Sequence, residues 1–265
     1  MQEEYFYNMD LIIISATSLA ASLLTFFTGF GLGTILTPVF VIFFPVEIAI
    51  ALTGIVHLLN NLFKLVLVGK EANKNIVVRF GIPAIAGAFI GAELMIRLSD
   101  LSPLFSYHLF EKELFVFPIK LIVAALMIFF ALMEVIPYLK EIKFDSNKLY
   151  LGGILSGFFG GLSGHQGAFR SAFLLKAGLQ KEVFIATGVV IACLVDFTRL
   201  SIYFSKYFTG GLADKASYLI TAILSAFAGA YLGKKMLKKL TVNSLQLMVS
   251  IFIILLAVLL GAGII

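Results

Sequence analysis

From Gly152 to Arg170 an apolar run that extends from Leu149 to Leu175 is interrupted by glycines and polar side chains. Six glycines lie between Gly153 and Gly167. They argue against a continuous helix, because glycine costs up to about 1 kcal/mol per residue relative to alanine. A hydroxyl (Ser163), an imidazole (His165), an amide (Gln166) and a guanidinium (Arg170) follow within eight residues. In lipid, broken backbone persists only where protein or a water-filled cavity satisfies its N–H and C=O groups. A polar broken helix is also where membrane transporters hold their substrates.

The surroundings of this stretch place it in a membrane. The chain is 60% hydrophobic and 13% charged, and its mean hydropathy is +1.04. Apolar runs of about 20 residues, enough to cross a bilayer, recur along its whole length. Tryptophan is absent, so an aromatic belt must come from tyrosine and phenylalanine. The single cysteine, Cys193, excludes a disulfide framework and reads as a structural thiol. The N-terminus carries Glu3, Glu4 and Asp10 without the basic flank of a signal peptide, so the first apolar run is expected to stay in the mature protein. A net charge of +5 does not point to nucleic acid, since the lysines gather at the ends of spans.

The first apolar run, Leu11–Phe44, has 34 residues. As one helix it would reach roughly 51 Å, beyond the roughly 30 Å hydrocarbon core. A break is therefore expected at its centre, from Thr28 through Gly29, Gly31 and Gly33 to Thr34. Pro45 then starts a helix, with Glu47 suitably placed in its first turn. Spans are expected at 46–68, 76–98 and 115–138, with a polar loop holding Asp100, His108, Glu111, Lys112 and Glu113. A charged connector, 140–148, leads to a second broken element at 149–177 and to spans at 182–204, 216–237 and 240–265.

The two halves resemble each other. Phe26–Gly29 aligns with Phe158–Gly161, Thr53–Gly54 with Thr187–Gly188, and Gly87–Gly91 with Gly229–Gly233, at offsets of 132, 134 and 142. Two repeats follow, 1–139 and 149–265. Lysine and arginine placement gives the orientation. If each broken element enters and leaves on one side, twelve cations (Lys70, Lys74, Arg79, Lys140, Lys143, Lys148, Lys176, Lys181, Lys234, Lys235, Lys238 and Lys239) face the cytoplasm. Four (Arg97, Lys112, Lys206 and Lys215) then face outward. If each broken element crossed once, the same charges would divide eight against eight. The first arrangement is preferred. It makes the repeats inverted, sets the broken elements against each other near the midplane and leaves both termini outside. The fold class is thus an all-α polytopic membrane protein of two inverted repeats, each a broken, re-entrant-like helix pair plus three transmembrane helices.

Lys64, Lys120, Arg170 and Arg199 fall on neither side, and intramembrane charge is a functional candidate by default. Arg170 ends the polar break, and its forked donors suit an oxyanion; the alternative is an arginine snorkelling beside Lys176. Arg199 follows Asp196 by three residues, a spacing for an ion pair that serves either site or structure. His57, Asn60, Asn61 and Lys64 recur at helical intervals on one face. Lys120 reads as an interface lysine, Gly87-x3-Gly91 and Gly229-x3-Gly233 as packing faces. At the breaks themselves Gly31, Gly33 and Thr34, and Ser163, Gly164, His165 and Gln166, expose backbone N–H groups where a helix dipole favours an anion. With His57, Asn61, Arg170, Asp196 and Arg199, they form the expected binding set. Neither a metal nor a cofactor is called for.

These residues resemble the sulfite exporter TauE/SafE family, also called the 4-toluene sulfonate uptake permease family. The resemblance covers nearly the whole chain. Its first part is the glycine-rich break from Phe27 to Pro38, its second the Pro45–Thr53 stretch, its third Gly87-x3-Gly91, and the second half recapitulates them. The resemblance implies a secondary transporter that moves sulfite, a sulfonate or a related sulfur oxyanion across the inner membrane without ATP. Two departures matter: the family's G-x-G-G-G is Gly29-Phe30-Gly31-Leu32-Gly33 here, and the second break carries His165 and Gln166, with Arg170 where a proline is usual. Larger polar groups there should change the pocket. Partners expected are a small anion, lipid and a coupling proton or ion, for which His165, His57 and Asp196 are candidates; whether the chain forms a homodimer is open. The alternatives are an anion channel, a non-transporting membrane scaffold, and an intramembrane protease built on Ser163, for which His165 sits too close in sequence to meet the hydroxyl correctly.

Overall fold

A computed structural model describes residues 2–28, 31–140, 144–207, 215–236 and 243–265. Gly29 and Phe30 of the first break, and Lys143, Lys238 and Lys239 of the charge pattern, lie outside the described residues. In chain order the helices are α1 (Gln2–Thr28), α2 (Leu32–Phe43), α3 (Val46–Val68), α4 (Lys74–Ile76) and α5 (Ile82–Ser99); α4 and α5 are joined by a π turn, Val77–Gly81, into one span. A β-hairpin, β1 (Phe105–Leu109) and β2 (Lys112–Val116), follows, then α6 (Pro118–Val135) and the single turn α7 (Pro137–Lys140). The second half holds α8 (Leu149–Ser163), α9 (Gly167–Leu174), α10 (Lys181–Tyr207), α11 (Ala216–Met236) and α12 (Asn243–Gly261). Among the described residues six helices are long and apolar enough to cross a membrane.

Each half packs its helices against the other. α1 lies along α11, and α8 lies along α5. Both pairs run parallel. Tyr7 meets Tyr218, and Ser15 bonds Ser225 at 2.7 Å; on α8, Gly153, Gly157 and Gly161 face Phe80, Ala84 and Ala88 in order. α3 and α10 run antiparallel, as do α6 and α12: His57 reaches Asp196 and Asn73 reaches Thr187, while Lys120 Nζ donates to the Ile265 carbonyl at 2.8 Å. Nine of the twelve α2 residues are buried, so α2 sits inside the largest apolar cluster with α3, α6 and α12.

These contacts sort the helix ends into two groups. At one end are the hairpin, the Ser99–Tyr207 hydrogen bond (2.6 Å) and the Lys206–Asp100 ion pair. Tyr7 and Phe44 both pack edge-on against Tyr218 there, so α1 begins and α2 ends on the same side. At the other end Lys234 Nζ donates to the Leu67 carbonyl (3.2 Å), Lys176 pairs with Asp145 (2.9 Å), and Phe144 stacks on Phe173 with centroids 4.2 Å apart. α8 begins and α9 ends there. We refer to these as the hairpin end and the lysine end.

Several expectations are corrected. The glycines of 152–161 do not break the helix: α8 continues to Ser163, and the interruption is confined to Gly164–Gln166. A Cβ on Gly153, Gly157 or Gly161 would run into the backbone carbonyl oxygen of Phe80, Ala84 or Ala88. The glycines are there for helix contact, which outweighs their poor propensity. The loop at 100–113 is instead a hairpin pairing Phe105 with Val116 through Leu109 with Lys112; 115–116 belong to it, and α6 starts only at Pro118. α1 reaches back to Gln2 rather than starting at Leu11. The repeat offset of 132 also shifts, since Thr28 and Ser163, Leu32 and Gly167, and Val46 and Lys181 are element boundaries each separated by 135 residues.

Candidate substrate site

The two breaks meet. α8 ends on Gly164 at φ +83°, a left-handed C-cap that only glycine adopts without strain, and its N–H bonds the Gly160 carbonyl at 3.0 Å. α2 starts after Gly31, at φ +26°, a residue with no side chain to cap its first turn. A Cβ on Gly33 would lie 2.9 Å from the Gly164 carbonyl oxygen, so only glycine lets the start of α2 approach the end of α8 this closely.

Beside this junction a polar network joins both halves of the chain. Asp196 of α10 is fully buried. It accepts from His57 Nδ1 of α3 (2.5 Å), from Gln166 Nε2 in the α8–α9 link (3.0 Å) and from Arg199 Nε one turn along α10 (3.0 Å), with Arg199 Nη2 at 2.9 Å. Gln166 passes the connection on, because its Oε1 accepts from Arg170 Nη1 at 3.1 Å. Asn61 Nδ2 lies 3.3 Å from His57 Nε2, and Lys64 Nζ donates to Thr25 Oγ1 at 3.4 Å. A buried carboxylate surrounded by donors in this way is satisfied, and three cationic side chains, Lys64, Arg170 and Arg199, accompany this one anion.

A pocket opens next to the network. Its polar lining includes Arg170, Lys64, His57, Asn61, Thr25 and Ser171; Leu174, Phe184, Ile185 and Val189 form an apolar wall. Gly31 and Leu32 also line it, so the uncapped N-terminus of α2 borders the same space as the two cations. The outward-pointing N–H groups of a first helical turn and the positive end of the helix dipole favour an anion there. Lys64 lies four residues before the end of α3, and Phe184 three residues into α10. The pocket therefore sits toward the lysine end.

Of the residues expected from sequence, Gly31, His57, Asn61 and Arg170 line the pocket. Gln166 and Asp196 stand behind them and hold Arg170 and His57 in place. Gly33 and Gly164 form the contact between the breaks, with Thr34 buried on the first turn of α2 and Arg199 beside Gly164. Arg170 does not snorkel, being only 7% exposed. Ser163 and His165 lie apart from the pocket lining. The two lie in contact, with His165 Nδ1 3.0 Å from Ser163 Oγ, because the left-handed Gly164 turns the chain back on itself. The serine hydroxyl gives its proton to the Phe159 carbonyl (3.1 Å), so in this arrangement His165 is the donor in the pair rather than a base. The imidazole stacks on Phe130 at 5.2 Å.

Thr25, Ser171 and Gly188 line the pocket without belonging to the set expected from sequence, and Lys64, a candidate by its charge, joins them. Lys64 was findable, since it lies seven residues after His57 on the same face. Thr25 carried no such signal, being one of several hydroxyls along α1.

The chain matches the family described as Sulfite exporter TauE/SafE over residues 14–260, nearly its whole length, and it belongs to that family. Neither a curated protein nor a solved structure matches it.

Proposed function

We propose that this member of the sulfite exporter TauE/SafE family is a secondary transporter that binds a small sulfur-containing oxyanion, sulfite or a sulfonate, in the pocket beside its two breaks. It moves the anion across the inner membrane by alternating access. The observation that carries this reading is the convergence of Arg170, Lys64 and the uncapped start of α2 on one pocket. Arg170 offers a planar fork to two oxygens, Lys64 a point charge, and the α2 N–H groups a third direction of approach. The apolar wall of Leu174, Phe184, Ile185 and Val189 accommodates the carbon end of a sulfonate. His57, Asn61, Gln166 and Asp196 orient the cations, and His57 or Asp196 is a candidate carrier of a coupling proton.

Two inverted repeats, 1–139 and 149–265 around the connector 140–148, provide the moving parts in this reading. Its support is the exchange of partners: α1 packs on α11 as α8 packs on α5, while α3–α10 and α6–α12 are antiparallel pairs of corresponding helices. In this reading the lysine end is cytoplasmic, supported by the distribution of basic residues, with the pocket mouth on that side and the termini outside.

The test is binding of sulfite, organosulfonates, sulfate and thiosulfate to the purified protein beside Arg170→Ala. Selective binding that weakens by about tenfold or more in the variant is the expected outcome, from the loss of charge-assisted hydrogen bonds. Unchanged binding in the variant removes Arg170 from the site. No binding of any of these anions overturns the reading.

A further inference from the structure

Among the described residues, three buried polar atoms without hydrogen-bond partners gather around the contact between the breaks: Arg199 Nη1, Thr37 Oγ1 and Thr53 Oγ1. A Cβ built on Gly164 would lie 3.1 Å from Arg199 Nη1 and 3.8 Å from Thr37 Oγ1, so guanidinium and hydroxyl face the same small space. Gly54 flanks the guanidinium, its own Cβ position being 3.3 Å from Arg199 Nη2, and the Thr53 methyl lies 3.9 Å from a Cβ built on Gly33 at the junction. Arg199, Thr37 and Thr53 are all fully buried. Tyr203, one turn further on, gives its hydroxyl proton to the Gly161 carbonyl and stands beside Arg199. The ion pair with Asp196 uses Nε and Nη2, and leaves Nη1, which faces Gly164, without a hydrogen-bond partner.

Such groups are rarely left without partners inside a protein, and each calls for a reason. Here the reason lies in their placement. Thr53 precedes His57 by four residues on α3, Thr37 follows Leu32 by five on α2, and Arg199 follows Asp196 by three on α10. α3 runs away from the hairpin end, whereas α2 and α10 run toward it. All three displacements therefore point the same way, about one helical turn beyond the pocket. The His57–Asp196 pair lies between the two levels.

We propose that Arg199, Thr37 and Thr53 form a second, occluded position for the oxyanion, on the hairpin side of Asp196 and in series with the open pocket. This rests on the anion-transport reading above. The guanidinium fork supplies the charge, and the two threonine hydroxyls turn their protons toward the anion. The anion leaves Arg170 and Lys64, passes the neutralised Asp196 and is next held by Arg199.

The discriminating variant is Thr37→Val with Thr53→Val, because neither hydroxyl makes a hydrogen bond that the fold needs. The full chain is reconstituted in proteoliposomes, and both equilibrium binding and transmembrane flux are measured with radiolabelled sulfite and methanesulfonate. We expect binding within about threefold of wild type, an unchanged or raised melting temperature, and flux lowered by about tenfold or more, since the lost bonds are to a charged group. Arg199→Lys, which keeps the charge but loses the fork, gives the same split. Ser250→Ala, which removes a partnerless buried hydroxyl on α12, is the control with unchanged flux. Unaltered flux in the double threonine variant means water satisfies these atoms and overturns the second position while leaving the pocket standing. Binding and flux falling together make one continuous site and also overturn it. A wild-type protein that neither binds nor carries the probes rejects the transport reading itself.

Discussion

Replacing Asp196 by Asn keeps the shape of the side chain and removes its charge. The amide oxygen can still accept from Gln166 and Arg199, which now reach Oδ1 at 3.0 Å each. The amide nitrogen would face His57 Nδ1, now 2.5 Å from Oδ2, and the imidazole must change tautomer to accept from it. That exchange of neutral hydrogen bonds costs only about 1 kcal/mol. The larger effect is on Arg199, which is fully buried and loses its counter-ion. Stranding one member of a buried pair costs about 3–5 kcal/mol. At roughly 2–4 °C per kcal/mol for a chain of this size, Asp196→Asn should melt about 10 °C below wild type. Removing the stranded charge with Arg199→Gln should then recover stability, with a coupling energy of about 2 kcal/mol, inside the usual range for contacting residues. Circular dichroism melts of the four proteins in one detergent measure this. If the two single losses simply add in the double variant, Arg199 does not depend on Asp196 for its counter-charge, and the account of the network is wrong.

Gly157→Ala would gain about 1 kcal/mol of helix propensity but drive a Cβ into the Ala84 carbonyl; overpacking costs about 1–3 kcal/mol and a backbone obstacle cannot turn aside, so the melting temperature should fall. An equal or higher value would mean that α8 and α5 are not in the contact described. At the lysine end, outside the membrane, the hydrogen bond and charge of Lys176 hold the Asp145 carboxyl below its ordinary range. A depressed carboxyl stabilises the fold above its unfolded pKa and loses that contribution as pH falls through the folded value. Lys176→Ala should therefore move the Asp145 titration upward, read by NMR on a labelled carboxyl, and change the melting temperature little at neutral pH because the pair is exposed.

Much of this architecture was written in the order of residues. Apolar runs of bilayer length, the two polar interruptions and the lopsided lysines follow from local composition, and transfer from water to lipid acts on composition directly. Arg170, His57 and Asn61 were legible for the same reason, since polar side chains in such runs need partners wherever they end up. The tertiary structure decided what those partners are. Gly153, Gly157 and Gly161 read as helix breakers until α5 is laid against them, because propensity is local whereas the clash they avoid involves residues about 73 positions earlier. Asp196 could have been a private partner of Arg199 three residues away. It became a hub only when packing brought up His57, 139 residues earlier in the chain, and Gln166, 30 residues earlier. Thr37 and Thr53 lay in matched stretches of the sequence but gave no signal of a binding role, because a threonine in an apolar helix ordinarily bonds its own backbone. Their place at the contact of Gly33 with Gly164, Thr37 beside Gly164 and Thr53 beside Gly33, exists only once two broken helices from opposite halves have been brought together.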